Sequence, residues 1–309
     1  MTKRLYNCAN IQSIISDNTG VRILTLNMKF LLTLIVFSCQ TLFAQDLLPY
    51  KIYNDKGKEV SFKKMIQSLE GYDVVLFGEL HNNAFVHWAQ LRTLKALHAK
   101  RGSQLILGAE MFERDNQEGL DRYLKGEIDS KQLGEEVRLW KNHPTDYAPL
   151  VDFAKKEGLV FRATNVPRRY ASEVARKGLD SLKLSDDERS YVVKLPFDVS
   201  LDTPGYQEMV KMVHSGANAM NFVAAQAIKD ATMAESILQV WAPGKQLLHF
   251  HGDFHSKDFG GIYWYLKKAR PELKVVVVSI MESEDADLRL PQKGTQFNLV
   301  IPVDMAKSY

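Results

Sequence analysis

Apolar positions along the chain come in two rhythms. Short unbroken runs (Val74 to Phe77, Leu105 to Leu107, Leu247-Leu248, Val275 to Val278) alternate with longer stretches in which apolar residues recur every three or four positions. An unbroken run of this length reads as a strand buried on both faces, as in parallel sheets, whereas the three-to-four spacing reads as a helix with one face on a core. The pattern predicts strands over 73–77, 104–109, 159–163, 246–250 and 275–280, and a short last strand over 298–301. It predicts helices over 62–69, 86–100, 116–125, 130–141, 149–157 and 260–269. The middle reads as helical. Ser185-Asp186-Asp187-Glu188 has the form of a capping box that starts a helix, and Tyr206 to Leu238 reads as a long helix with a break at Ser215-Gly216. Strands alternating with helices predict an α/β fold, a parallel sheet flanked by helices. Two helical insertions, about 113–145 and 170–235, would cap the strand ends as a small helical subdomain.

Three of the apolar runs stop on chemistry-bearing residues. The first ends in Gly78-Glu79-Leu80-His81, the second in Glu110, and the third in His251-Gly252-Asp253-Phe254-His255. Open parallel sheets bind ligands in the crevice beyond the carboxyl ends of their strands, so the three ends predict one shared site. Glu79 and His81 read as a base or metal ligand beside an orienting carboxylate, or as a pair satisfied at a helix start. Glu110 should face Glu79 if the strands are neighbours, while Glu113 would only pair with Arg114. His81, His251, Asp253 and His255 together have the make-up of a divalent-metal site. The plainer alternative makes His249 a core histidine and Asp253 a helix cap.

Other positions add to this cluster. Gln226, Asp230 and Met233 share one face of the long helix. Asp230 on so apolar a helix needs a partner, either the site histidines or the sheet; Met233 reads as core. Tyr147, between His143-Pro144 and Pro149, is either a packed tyrosine or a hard oxygen ligand. Arg168 and Arg169 follow a strand end and suit a carboxylate or phosphate, or plain surface charge. No Walker loop, dinucleotide glycine fingerprint or Gly-x-Ser-x-Gly elbow is present.

Composition changes the picture mainly at the N-terminus. Met28-Lys29 opens the apolar run Phe30 to Phe37, and Leu42-Phe43-Ala44 follows. This is the layout of an export signal cleaved near Ala44, with Met28 as the true start. Val36-Phe37-Ser38-Cys39 offers lipid attachment at Cys39 as the alternative. Both cysteines, Cys8 and Cys39, fall in this segment, which excludes a cysteine zinc site, a disulfide scaffold and thiol catalysis downstream. Without residues 1–44 the chain keeps 36 basic and 36 acidic residues, so its net charge of +3 comes from the signal and no nucleic-acid footprint remains.

Taken in order, the motifs resemble the ChaN family of haem-binding uptake lipoproteins, within a wider group that includes Tiki/TraB proteins and erythromycin esterases. The resemblance covers most of residues 50–270. It is carried by Gly78-Glu79-Leu80-His81-Asn82, by His87 and Gln90, by Glu110-Met111-Phe112-Glu113-Arg114, and by Trp140 with Tyr147-Ala148-Pro149. It continues through Asn165-Val166-Pro167-Arg168, His214-Ser215-Gly216, Ala225-Gln226 through Asp230, Met233 and Ala234, and Gly252 to His255. The resemblance implies an exported haem carrier of the periplasm or outer membrane, with haem at a homodimer interface, a tyrosine on the iron, and basic or histidine groups on the propionates. Tyr147 is its ligand candidate, with His214 and Arg168 as further haem contacts. A second class stays open: a hydrolase, with or without a divalent metal, using Glu79, His81, Glu110, His251, Asp253 and His255. There His81 would be the base and Glu79 or Glu110 would orient it.

Overall fold

The structure is a computed structural model, and it describes residues 48–212, 216–285, 287–290 and 295–308. The expected export signal, with Cys39 and Ala44, and the haem-contact candidate His214 lie outside the described residues. The strands are β1 (Lys51–Asn54), β2 (Val74–Glu79), β3 (Leu105–Glu113), β4 (Val160–Asn165), β5 (Gln246–Gly252), β6 (Val275–Ser283) and β7 (Phe297–Pro302). They form one sheet in the order β1-β7-β6-β2-β5-β3-β4. Every pairing is parallel except the edge pair of β1 with β7.

The helices are α1 (Phe62–Leu69), α2 (Ala84–Arg101), α3 (Gln117–Leu124), α4 (Ser130–Glu136), α5 (Ala148–Glu157), α6 (Arg168–Lys177), α7 (Tyr206–Met212), α8 (Gly216–Val240) and α9 (Gly261–Ala269). Strand residues alternate between two cores. Val75, Phe77, Leu248, Phe250, Val276 and Val278 face the core shared with α1, α2, α3 and α5. Val74, Leu76, Leu247, Val275 and Val277 face the core shared with α6, α8 and α9. This two-sided burial is why the runs are unbroken rather than alternating.

The structure differs from the sequence reading in four places. The strands run further than their apolar runs: β2 includes Gly78 and Glu79, paired with His251 and Gly252 of β5, because ladder hydrogen bonds continue past the last apolar side chain. Helix α4 starts at its capping box on Asp129 but stops at Glu136, where Val137 turns extended and Asn116 takes the Arg138 N–H at 2.9 Å. The Ser185 box forms, with Ser185 N–H donating to Glu188 at 3.0 Å, but it caps only a short turn over Glu188–Tyr191. Within the second proposed insertion, α8 lies mainly along the sheet face, packing against β4, α6 and α9, and only part of it reaches the strand ends.

Gly78 shows how tightly the strand ends are fitted. A Cβ there would lie 2.2 Å from Asp253 Oδ1 and 3.0 Å from its Cα. Gly78→Ala is therefore expected to destabilise the chain by about 1–3 kcal/mol through overpacking, read as a lower urea midpoint at unchanged slope. An unchanged midpoint would show that β5 and β6 have room to separate there.

Candidate functional site

The carboxyl ends of β2, β3 and β5 lie side by side, and their last side chains meet. Glu79 is buried at the end of β2 and is held by three donors. His81 Nδ1 lies 2.8 Å from its Oε1, Tyr147 donates its hydroxyl to the same oxygen at 2.8 Å, and Gln90 donates to Oε2 at 2.9 Å. His87 stands behind them, 3.5 Å from Oε2. Helix α2 supplies Gln90 and His87 because Asn83 caps it immediately after the strand, its Oδ1 accepting the Val86 N–H at 3.1 Å. A five-residue π-turn, His143–Tyr147, brings in Tyr147.

Glu110 lies where β3 departs from regular pairing, between Ala109 and Glu113. Its Oε2 accepts the Gly252 N–H at 2.8 Å, and its Oε1 is 3.1 Å from His255 Nε2. The other ring nitrogen of His255 bonds to Asp230 of α8, and Gln226 approaches it at 2.9 Å. Tyr206 donates to Asp230 at 2.7 Å. A Cβ on Gly252 would lie 2.7 Å from His81 Nε2 and 3.5 Å from Glu110 Oε2, so only glycine lets these two side chains close over the strand end.

Burial sets the electrostatics of these groups. For Glu79 burial opposes ionisation, but the hydrogen bonds from His81 and His87 outweigh it and hold the carboxyl down at about 2. Burial also opposes charge on His255, yet Glu110 and Asp230 on either side push it up to about 10. Glu110 stays ionised for the same reason, its burial overcome by His255. His81 is raised, burial again being outweighed by Glu79. His249 and His251 behave oppositely: burial and a charged neighbour keep both neutral, His251 at about 3. The site therefore carries ionised carboxylates and an imidazolium in contact, beside two neutral imidazoles.

A cleft of about 560 Å³ opens over this cluster. His81, Glu110 and His255 lie at its base, Trp140 lines one wall, and Arg138, Arg168 and Lys229 supply positive charge. The His81 side chain is 37% exposed, and its ring packs edge-on to Trp140 at 4.9 Å. Phe254, next to His255, and Phe222, one turn before Gln226 on α8, are both exposed.

With this geometry in hand, the sequence matches the family model described as "Haem-binding uptake, Tiki superfamily, ChaN" over residues 65–266, well over half of the chain. The chain belongs to the ChaN family. Among solved structures it is similar to ChaN of Campylobacter jejuni, described with cofacial haem binding, at 20% identity and a TM-score of 0.64, covering 82% of this chain and 96% of that one. A mutant of erythromycin esterase EreC in its open conformation is similar at 11% identity and a TM-score of 0.43, covering 82% and 83%. The toxin effector domain RRSP of Vibrio vulnificus is similar at 18% identity and 0.42, covering 80% and 40%. The likeness to the Campylobacter jejuni protein speaks to the fold. No curated protein matches the sequence.

Among the ChaN motifs, Glu79, His81, Glu110 and His255 come together. The set read as a metal site does not. His251 turns away to Ser256 at 2.7 Å and to His249 Nδ1 at 3.0 Å. Asp253 accepts from Ser279 Oγ at 2.7 Å and from the Ile280 N–H at 3.0 Å, tying β5 to β6. Both His255 nitrogens already face carboxylates. Among the described residues no group of three His, Cys, Asp or Glu is arranged to hold a metal ion, so the donors do not fit a divalent cation. Glu113 pairs with Arg138 at 3.0 Å rather than with Arg114, which runs instead to Glu235 at 2.9 Å. His249 is the core histidine of the plainer reading, bonded to Thr164 at 2.8 Å. Asp230 reaches the site. Tyr206, Arg138 and Lys229 were not singled out from sequence, because nothing local marks a residue whose partner is brought by a distant element.

The His255 shift gives a pH dependence. Free histidine titrates near 6.5, so the stabilisation from holding its proton is whole below that pH and is lost as pH rises through about 10. His255→Gln should be less stable at pH 6.5 by about 3–5 kcal/mol, because Glu110 and Asp230 lose their counter-charge. It should also show a shallower fall in the urea midpoint between pH 6.5 and 10. Parallel curves for the two proteins would rule out an imidazolium at this position.

Proposed function

We propose that this ChaN-family chain binds haem across the mouth of the cleft. Haem is a broad apolar plane with two carboxylates. The observation that carries the reading is a cleft lined by the cations Arg138, Arg168 and Lys229 and by Trp140, with His255 at its base. Exposed Phe254 precedes His255 in the chain, and exposed Phe222 lies one turn before Gln226, which contacts His255. Exposed aromatics of this kind mark contact surfaces, and guanidinium groups suit carboxylates. Arg168 would meet a propionate, and His214 is retained from the family resemblance as a propionate or axial contact. Tyr147 is a poor iron ligand here: its hydroxyl is buried, bonded to Glu79, and pushed well above the ordinary phenol range by burial and by that carboxylate. A ferric ligand must be the phenolate. Export to the cell envelope, expected from the N-terminal layout, and sharing of haem between two copies, implied by the family resemblance, remain part of this proposal. Among the described residues no helix is long and apolar enough to cross a membrane.

Haemin titration of the purified chain tests the reading. We expect a saturable Soret shift, weakened about tenfold by Arg168→Ala or Phe254→Ala, altered in position by His214→Ala, and unchanged by Tyr147→Phe. No Soret shift in the unmodified chain would overturn haem binding. Loss of the shift in Tyr147→Phe would return the iron to that residue.

One observation favours a second reading, a hydrolase in the same cleft. His81 Nε2 faces the cleft while its Nδ1 is fixed by the buried carboxylate of Glu79, the arrangement of an oriented general base. Nε2 would take a proton from water as the water oxygen attacks an ester carbonyl, and would return it to the departing alkoxide as the ester C–O bond breaks, giving the acid and the alcohol. Because Glu79 raises the His81 pKa, the base form appears only on the alkaline side of 6.5. Hydrolysis of an ester panel would then rise with pH across that point and vanish in His81→Asn. A flat profile, or activity retained in His81→Asn, would remove His81 from the chemistry.

A further inference from the structure

On the sheet face away from α8, a second cavity of about 210 Å³ lies between α1, α2 and the strands β1, β7, β6 and β2. Its floor is apolar, made by Ile52, Phe77, Val278 and Leu299, all buried. Its mouth is aromatic: Tyr50 and Phe85 have ring centroids 5.2 Å apart, Phe85 and Trp88 5.5 Å apart, and Trp88 is half exposed. Two adjacent residues of α2 break the apolar lining. Thr93 is fully buried, yet its hydroxyl has no hydrogen-bond partner. Arg92, exposed at the mouth one turn beyond Trp88, is the one charged side chain of the lining among the described residues.

An unpartnered buried hydroxyl costs free energy that a bound acceptor would recover. A pocket that is apolar inside, with an unpaired hydroxyl in its wall and a guanidinium at its mouth, is complementary to an apolar body carrying one anionic acceptor. We propose that this cavity binds a small monocarboxylate with an apolar tail, of the medium-chain fatty acid type. The tail lies on the Phe77–Val278 floor, and the carboxylate accepts from Thr93 Oγ1 and from Arg92. The aromatic mouth closes over the tail. The site shares no residue with the cleft, so it stands whether or not the chain carries haem.

Octanoate, octanol and octylamine are the probes, titrated into the purified chain by calorimetry with tryptophan fluorescence in parallel. Octanoate should bind saturably, octanol about tenfold more weakly, and octylamine more weakly still. Arg92→Gln should erase the preference for octanoate over octanol. Thr93→Val, which keeps the shape and removes the unpaired hydroxyl, should weaken octanoate about fivefold while leaving the melting temperature unchanged or raised. The haemin titration should be unaffected by octanoate. No saturable octanoate binding overturns the proposal, as does octanol binding as tightly as octanoate, or octanoate binding indifferent to both variants. A chain that self-associates through this face and takes up no octanoate also overturns it, in favour of a second copy as the occupant.

Discussion

Two buried carboxylates organise this molecule. Glu79 and Glu110 lie on two parallel strands, β2 and β3, that flank β5, both buried, where an unpaired charge costs several kcal/mol. Each is made tolerable by donors from other parts of the chain. Glu79 draws His81, Gln90 and Tyr147 onto itself; Glu110 draws the Gly252 amide and His255. His255 in turn needs Asp230, and Asp230 needs Tyr206. The path from β2 to α7 is a sequence of compensations, each residue answering the charge before it. This explains why the strands keep pairing past their apolar cores: the ladder must place Gly252 under both Glu110 and His81.

The fold was largely legible because two-sided burial leaves a strong mark. Val74 to Phe77 and Val275 to Val278 can hardly be anything but inner parallel strands, and the acidic and histidine residues that follow them are placed by the sheet itself. What stayed hidden depended on partners far away in sequence. Asp253 has the same neighbours in the sequence as the site histidines, but Gly78 leaves a space that its carboxylate fills, and β6 supplies its donors. Glu113 passes over adjacent Arg114 for Arg138, because the irregular end of β3 turns the two apart. Tyr147 was open between a packed tyrosine and an oxygen ligand, and the turn that carries it points its hydroxyl inward to Glu79. In each case local sequence gave the residue type and tertiary packing chose its role.

The cleft and the second cavity show how a ChaN-type sheet can serve two surfaces. Residues leaving the strand ends build a charged, open cleft; the opposite face, under α1 and α2, keeps an apolar pocket with one polar corner. The charged groups at the base of the cleft are already neutralised by one another, which leaves Arg138, Arg168 and Lys229 of its lining to meet a ligand. That division suits a large amphipathic anion better than a metal ion, whose ligands would have to abandon existing partners.

The most direct measurement is nitrogen-15 NMR of the imidazole rings as pH is raised from 6 to 10. A buried imidazolium between Glu110 and Asp230 requires both His255 nitrogens to remain protonated at pH 8, while His249 and His251 show one protonated and one bare nitrogen each throughout. A neutral His255 ring at pH 8 would contradict this, because Glu110 would then lie buried beside His255 with no opposite charge on that ring.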